Sequence, residues 1–561
     1  MEPLSAIDCD LASQYNNWSH LTLPSLFEQI AQKHPHRPAI LASDREWTYE
    51  QLHRHSQKLA AAIIASGLSV GSRIAVVMAN FPEFICVKMA IAQCGCVAVP
   101  INFQLLYDEL FYVIDQSECA AVFTMAEFRG RDYIADFVDL LGKQNSLEFI
   151  VVREDRHDLP ANILSLADFS QRSNAKAIDQ LLQRSAQLSP DSLSDIVFTS
   201  GTTGRPKGAM LTHDMLLRSA FSSALTRGFE DGRRIAFALP MYHVFGYVEC
   251  WIAAMFVGGA IIPQTVFDAG ELLTLAERFN ATDCVCVPVM THALLHEARQ
   301  RGNFSAPLKS FFNSGGVNTP NIWQEIRDVL GVNEIHTAYG MTETTASTMC
   351  TRSDDTIDKL LETNGQYKLA GAAGDPEIEG KIALYRVVDP VTAKQIDHGM
   401  AGELQVKGPV VTRGYFRLPE ETKAAFTDDG WFRTGDVGTL SADGYLTLTG
   451  RIKEVYRCGG EMVMPREIEA LMEIYPGIAQ ALVIGVPDDR MGEVGCLCLV
   501  PESGTTLKEA EILSFCRDKL ARFKVPKYVL ELAVDDIPLT PTGRPQKFAL
   551  AQLARRQLML A

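Results

Sequence analysis

Several things are scarce in this chain of 561 residues, and each scarcity excludes a class of protein. Positive charge is short: 52 Lys and Arg stand against 68 Asp and Glu, a formal net charge of -16. No surplus of cations is available to displace counterions along a phosphate backbone. That excludes a general nucleic-acid binder but leaves room for a local site for a small anion. Long hydrophobic runs are missing too. The most apolar stretch, CWIAAMFVGGAIIP from Cys250 to Pro263, is shorter than the ~20 residues of a membrane-spanning helix. It predicts a buried helix running into a strand, and no transmembrane segment. The opening MEPLSAIDCD has no basic region followed by an apolar one, so no secretory signal is read. Cysteines are present, 13 of them, but without C-x-x-C spacing or a neighbouring histidine cluster. Cys94/Cys96 and Cys284/Cys286 fall in apolar, strand-like text. Buried reduced thiols and a cytoplasmic location are expected.

Repeats and low-complexity segments are also absent. The composition, 47% hydrophobic and 21% charged, is that of a globular protein, and the length calls for at least two domains. RIAVVMAN (Arg73 to Asn80) predicts a strand, PEFICVKMAIAQCG (Pro82 to Gly95) a helix and CVAVPIN (Cys96 to Asn102) the next strand. That is a βαβ unit, and hence a parallel sheet. Strands are also expected at DIVFTS (Asp195 to Ser200), DCVCVPVM (Asp283 to Met290) and SFFNSGG (Ser310 to Gly316). Ligands in open α/β sheets sit beyond the carboxyl ends of strands, so the turns that follow are candidate site loops. From about Tyr385 to Gly450 the text becomes short, turn-rich and β-like (GELQVKG, GYFR, GYLTLTG). Beyond Gly450 amphipathic helices at 466–475 and 506–523 alternate with strands. RIKEVYRCGGE, Arg451 to Glu461, has the charge and glycine of a mobile connection.

The segment TSGTTGRPKG, Thr199 to Gly208, carries the most chemistry. Its glycines let the backbone approach a bulky anion. The hydroxyls of Thr199, Ser200, Thr202 and Thr203 can donate to phosphate oxygens, and Lys207 adds a positive charge. A Walker A loop reads GxxxxGK[ST], and this does not, which disfavours a P-loop NTPase.

Together with WTYEQL (Trp47 to Leu52), PMYHVFG (Pro240 to Gly246), AYGMTE (Ala338 to Glu343), GWFRTGD (Gly430 to Asp436), GRIKE (Gly450 to Glu454), GGEMVMPREIE (Gly459 to Glu469) and RFKVPK (Arg522 to Lys527), this segment resembles the motif series of the adenylate-forming superfamily. The likeness is to its acyl- and aryl-CoA synthetase branch and runs in family order from about Leu21 to Gln552. It implies an α/β fold: a large N-terminal domain (residues 1–450) of two parallel-type α/β sheets with a small distorted β-barrel at about 385–450. A hinge at 451–453, centred on Lys453, would lead to a small mobile α+β C-terminal domain, 454–561. It implies an ATP-dependent ligase that forms an acyl-adenylate from a carboxylic acid, a small-molecule partner, and passes the acyl group to coenzyme A.

Residue roles follow from the resemblance. Thr199, Ser200, Gly201, Thr202, Thr203, Gly204 and Lys207 would hold the ATP phosphates. Thr202 and Glu343 would hold Mg2+, an oxygen-seeking ion that offsets triphosphate charge. Tyr339 would stack on adenine within the stretch Ala338, Gly340, Met341 and Thr342, with Gly315 and Gly316 on the other side. Asp436 and Arg451 would hold the ribose. Arg457, Gly459, Gly460, Glu461 and His243 would border the pantetheine arm. Tyr242, His243, Val244, Phe245, Gly246, Glu249, Val289, Asn313 and Ala338 would line the acyl pocket. Ala338 stands where glycine is common and should narrow the floor. Glu249, in apolar text, is either paired to a basic neighbour or at the rim, or else recognises a polar group on the substrate.

One motif departs from the family. Where TGK is usual, the text is PLTPTGRPQKF, so Arg544 occupies the place of the catalytic lysine and Pro545 follows it. Arginine keeps the charge but aims a planar fork rather than an ammonium. Arg544 could do the job with altered geometry, Lys547 could reach in, or adenylation could be slow and a preformed acyl-adenylate be used. Since no carrier domain follows, coenzyme A is the expected acceptor, with a carrier-protein phosphopantetheine as alternative. The amino-acid-activating relatives usually place an Asp near the PMYHVFG position to meet an α-ammonium; none stands there, which disfavours amino acids. A luciferase-like use of the adenylate and a degenerate adenylate-binding scaffold are the remaining alternatives; the state is monomer or homodimer.

Overall fold

A computed structural model of the protein describes residues 8–559 except 16–17, 19–20, 144–145, 157, 161, 200–204, 303, 317–320, 391, 453, 460, 503 and 540–544. These residues form two compact units. One runs up to Leu384 and adds Lys407–Phe432; the other comprises Tyr385–Val406 and Arg433–Ala561. This division differs from the cut at 451–453 expected from the sequence and leaves that segment inside the second unit.

The first unit holds two seven-stranded sheets. In one, the order is Glu334–His336, Ser310–Asn313, Asp283–Cys286, Arg234–Phe237, Ala260–Pro263, Pro38–Leu41, Glu46–Thr48, parallel except for the last pair. In the other it is Lys207–Thr212, Leu193–Thr199, Val97–Pro100, Arg73–Val77, Cys119–Thr124, Phe149–Val152, Ile163–Ser165, parallel except for the first pair. The expected βαβ unit is present as Arg73–Val77, the helix Pro82–Gln93 and Val97–Pro100. Pro82 starts that helix, where its missing N–H is not needed. Every residue of the helix is buried, the polar Glu83, Lys88 and Gln93 among them. In WTYEQL, Thr48 caps the helix Tyr49–Ala65: its Oγ1 accepts from the Gln51 N–H at 3.3 Å, and Gln51 Oε1 accepts from the Thr48 N–H at 3.0 Å.

Three expectations need correcting. DCVCVPVM is a strand only over Asp283–Cys286, because Pro288 ends the ladder and opens the helix Pro288–Arg301. The helix expected at 506–523 is shorter, Glu509–Lys519. Beyond Leu520 the chain tightens into a single turn, Arg522–Lys524, and Pro526 bars a return to α geometry at Val525. The end of RIKEVYRCGGE is not a loose connection. Tyr456–Cys458 pairs antiparallel with Glu461–Val463, and Gly459 supplies the left-handed turn, φ +62°.

The second unit carries a four-stranded sheet, Leu384–Val388, Gly402–Lys407, Phe432–Leu440, Leu446–Arg451. A five-stranded sheet follows, centred on the long hairpin Ile478–Asp488 and Gly492–Pro501. Helices Pro465–Glu473, Glu509–Lys519 and Lys547–Gln557 accompany it. The twelve cysteines whose side chains are described are all buried, and none of them forms a disulfide. Among the described residues no helix is long and apolar enough to cross a membrane.

Candidate active site

The phosphate loop of the sequence reading is the connection of a β-hairpin. Thr199 ends the strand Leu193–Thr199 opposite Lys207, and its Oγ1 donates to the Lys207 carbonyl at 3.4 Å. Ser200, Gly201, Thr202, Thr203 and Gly204 lie outside the described residues. Lys207 Nζ sits 5.1 Å from the centroid of the Tyr415 ring. The Tyr415 hydroxyl in turn donates to Glu343 Oε1 at 2.9 Å. Burial, with the Glu343 carboxylate adding to it, pushes the Tyr415 pKa up, so the phenol remains a donor. Three residues from three stretches of chain therefore converge: a cation, a phenol and a carboxylate. Tyr415 was missed in the sequence, where GYFR reads only as β-like text. Nucleotide-bound magnesium takes one or two carboxylates and fills its shell with phosphate and water oxygens. Glu343, buried and oriented by Tyr415, fits that role. Among the described residues no group of three His, Cys, Asp or Glu makes a cage of its own.

Glu343 lies in the tight turn Thr342–Thr344, directly after the strand Ala338–Met341 that holds Tyr339. Tyr339 and Ala338 are buried. Gly340 is required here: a Cβ would lie 2.1 Å from the Ala346 carbonyl oxygen and 2.4 Å from Ser347 Cα in the paired strand. The Ser314 hydroxyl donates to the Ala338 carbonyl at 2.7 Å, which brings the turn holding Asn313, Gly315 and Gly316 beside this strand. The Thr291 hydroxyl donates to Asn313 Oδ1 at 2.9 Å.

PMYHVFG forms a turn into the short helix Val244–Gly246. His243 Nδ1 accepts the Phe245 N–H at 3.2 Å, so the neutral ring carries its proton on Nε2. A Cβ on Gly246 would stand 2.5 Å from the Pro240 carbonyl oxygen, so only glycine closes the turn. Phe245 packs edge-on against Phe312, centroids 5.3 Å apart. Asn80 anchors the turn from below: its Nδ2 donates to the Leu239 carbonyl at 2.8 Å and its Oδ1 accepts the Met241 N–H at 2.8 Å. In the sequence Asn80 is marked only as a polar residue just beyond the carboxyl end of a buried strand.

Two acyl-pocket expectations change. Val289 is 74% exposed at the start of its helix, so it lines no enclosed pocket. Of the alternatives for Glu249, the structure shows the paired one. Glu249 is fully buried in a wide helical turn, Tyr247–Ile252. Lys368 Nζ lies 3.0 Å from Oε1 and 3.3 Å from Oε2, and the Ser347 N–H donates to Oε1 at 3.0 Å. The hydroxyls of Ser347 and Ser223 donate to the two oxygens as well. Arg227 Nη1 donates to the Glu249 carbonyl at 2.9 Å. Burial alone would raise this carboxyl; Lys368, Arg227 and the two hydroxyls outweigh it and hold the group below the ordinary glutamate pKa. The carboxylate thus faces four protein partners rather than a substrate.

In the second unit, Asp436 and Arg451 stand opposite each other across the hairpin, with Arg451 Nε 3.2 Å from Asp436 Oδ1. The Thr434 hydroxyl accepts the Asp436 N–H at 3.1 Å. Lys453, Gly460 and Arg544 lie outside the described residues, and Arg457 and Glu461 are described by their strand positions alone. Lys547, the other candidate cation, begins the helix Lys547–Gln557 and is held by Glu454 and Glu469.

Comparison with known proteins supplies the context for these residues. Residues 27–416 match the AMP-binding enzyme family, and residues 467–544 match the AMP-binding enzyme C-terminal domain. A Mycobacterium tuberculosis CoA ligase, named for a methyl-dioxo-octahydroindenyl propanoyl group, is 31% identical over 537 residues, 95% of this chain and 99% of its own. The mitochondrial medium-chain acyl-CoA ligase of Danio rerio is 29% identical over 557 residues, 96% of this chain and 89% of its own. The crystal structure of ATP-bound MatB from Rhodopseudomonas palustris matches with a TM-score of 0.79 at 29% identity, covering 95% of this chain and 99% of that one.

Proposed function

The chain belongs to the AMP-binding enzymes and is an ATP-dependent acyl-CoA synthetase, and from that premise we propose which of its residues serve each half-reaction. In the first half-reaction a carboxylate oxygen attacks the α-phosphorus of ATP, pyrophosphate leaves, and an acyl-adenylate remains. In the second, the thiol of coenzyme A attacks the acyl carbonyl carbon and AMP leaves.

Both reactants of the first step are anions, so the site must offset repulsion and align them. Lys207 and the hydroxyls of Thr199, Ser200, Thr202 and Thr203 take the β- and γ-phosphates. Glu343, steadied by Tyr415, and Thr202 are the residues that would hold Mg2+. When bound, the ion neutralises phosphate charge. Tyr339 takes adenine; Asp436 and Arg451 take the ribose. Arg544 bridges the substrate carboxylate and the α-phosphate, because the ammonium of Lys547 is already engaged by two carboxylates. His243 borders the carbonyl with its Nε2 proton as donor. Residues 451–453 act as the hinge between the two half-reactions, with Lys453 at its centre, and the Gly459 turn then borders the pantetheine arm. The buried unpaired thiols suit a reducing compartment, and the cytoplasm is the proposed location.

The observation that carries this reading is the convergence of Lys207, Tyr415 and Glu343 beside the phosphate-loop hairpin. ATP–pyrophosphate exchange over a panel of carboxylic acids, with and without coenzyme A, tests it. Acid-dependent exchange, followed by thioester formation on adding coenzyme A, is expected. No acid-dependent exchange would sink the first half-reaction. Thioester formed only with a loaded carrier protein would replace coenzyme A by a carrier as the acceptor.

A further inference from the structure

Beside the Tyr242–His243 turn lies a niche of about 10 Å³, the space of a single water-sized atom. Lys88, Asp195 and Tyr247 line it together with Tyr242, His243 and Val244. Lys88 is 1% exposed, Asp195 2% and Tyr247 3%. Lys88 comes from the buried helix Pro82–Gln93, Asp195 from the strand that leads to the phosphate loop, and Tyr247 from the turn after His243. Lys88 and Asp195 form an ion pair, and Lys88 Nζ sits 4.2 Å from the centroid of the Tyr247 ring. Beyond that ion pair Lys88 Nζ has no hydrogen-bond partner, and the Tyr247 hydroxyl has none. Asp195, by contrast, accepts from the Ser194 hydroxyl at 2.8 Å.

Sinking an ion pair and a phenol into this core opposes folding unless their donors are matched, and apolar side chains of similar size would pack there without that penalty. Lys88 keeps donors beyond the one turned to Asp195, and the Tyr247 hydroxyl is unmatched, so one neutral acceptor oxygen would serve both. The pair is net neutral wherever its proton resides, so a carboxylate brought to it would be an uncompensated buried charge; a neutral oxygen would not. The volume admits one atom. His243 lines the niche and is itself partly exposed, so the niche adjoins the turn assigned to the acyl group.

We propose that this niche is a specificity subsite for a single neutral oxygen, keto or hydroxyl, carried by the acyl substrate, with Lys88 Nζ and the Tyr247 hydroxyl as its donors. The inference rests on the placement of the acyl group at Tyr242 to Gly246 proposed above.

The test compares kcat/KM for saturated fatty acids with that for the same acids bearing a keto or hydroxyl group along the chain. Both are measured by pyrophosphate exchange on one enzyme preparation, so that loss of folded protein cancels in the ratio. The wild type is expected to favour an oxygenated acid by about tenfold or more, the worth of one well-made buried hydrogen bond. Tyr247→Phe, which removes only the hydroxyl, should cut that ratio several-fold. The double variant Lys88→Met with Asp195→Leu, which replaces the pair by apolar groups, should abolish it. Equal use of both kinds of acid by the wild type overturns the subsite and leaves the ligase reading standing. A ratio unchanged in both variants also overturns it and leaves the niche to a structural water. Exchange with no acid of either kind overturns both proposals.

Discussion

Lys547 is held between two carboxylates, its Nζ 2.7 Å from Glu469 Oε1 and 3.0 Å from Glu454 Oε2. A cation at the first residue of a helix opposes the helix dipole, and the two carboxylates compensate it. Glu469 is further fixed by the Val483 N–H at 2.8 Å. The ammonium therefore ties the helix that follows the TGR motif to the helix Pro465–Glu473 and to Glu454. Its removal should act on stability: Lys547→Ala should destabilise the second unit by about 2 kcal/mol, leaving two buried or half-buried carboxylates without their cation. Arg544→Ala should instead lower pyrophosphate exchange about a hundredfold or more, and Arg544→Lys should retain or raise it. Exchange lost in a folded Lys547→Ala enzyme, with Arg544→Ala normal, reverses the assignment.

The Tyr415–Glu343 hydrogen bond of 2.9 Å gives a second test. Tyr415→Phe leaves the ring beside Lys207 and removes only the group that orients the carboxylate. The KM for ATP and the magnesium requirement should both rise, the KM by roughly tenfold to a hundredfold, the worth of one hydrogen bond to a charged group. Glu343→Gln should lower exchange much more, while thioester formation from a supplied acyl-adenylate changes little. Equal loss in both half-reactions would show that the turn Thr342–Thr344 had collapsed rather than that a ligand had been removed.

Much of this was readable in the sequence because it is local. The alternation that predicts Arg73–Val77, Pro82–Gln93 and Val97–Pro100 is a property of neighbouring residues. What escaped is long-range pairing. Glu249 finds Lys368 across 119 positions, Tyr415 finds Glu343 across 72, and Lys88 meets Asp195 because two strands bring their elements together. No periodicity encodes such partners; they follow from sheet order. The same limit explains the β-hairpin at Tyr456–Cys458 and Glu461–Val463: charge and glycine suggested a linker, while the strand pairing depends on a sheet assembled from later residues.

Glu249 gives a third test, in which stability and specificity separate. Glu249→Gln leaves Lys368 and Arg227 buried without their counter-charge and should destabilise the first unit by about 3 kcal/mol or more. The order of preference among acids should not change, because the carboxylate faces protein on every side. Glu249→Leu combined with Lys368→Met should recover part of the melting temperature. A changed substrate order in Glu249→Gln would return this residue to the acyl pocket.

Gly340→Ala tests the strand proposed to hold adenine. The added Cβ would sit 2.1 Å from a backbone oxygen and 2.4 Å from a backbone carbon, neither of which can rotate away. The strands Ala338–Met341 and Ala346–Cys350 must separate, displacing Tyr339 and Glu343 together. ATP binding, read by calorimetry on the folded fraction, should fall below detection. Unimpaired ATP affinity would show that the two strands tolerate separation and do not jointly hold the nucleotide.

Two buried histidines set an acid limit on stability. Burial, with Lys88 adding to it, pushes His213 down to about 4, and burial pushes His336 down to about 3. Both lie below the ordinary histidine value of 6.5, so the folded state resists protonation that the unfolded chain accepts. Above pH 6.5 neither state binds these protons and the pair has no effect. As pH falls from 6.5 towards 4 the unfolded chain gains protons first, so stability is lost in that window, by about 3 kcal/mol for His213 at its lower end. The melting temperature should therefore drop on acidification before most carboxylates titrate, and His213→Gln with His336→Gln should flatten the slope. An equal slope in wild type and double variant would remove the histidines as its cause.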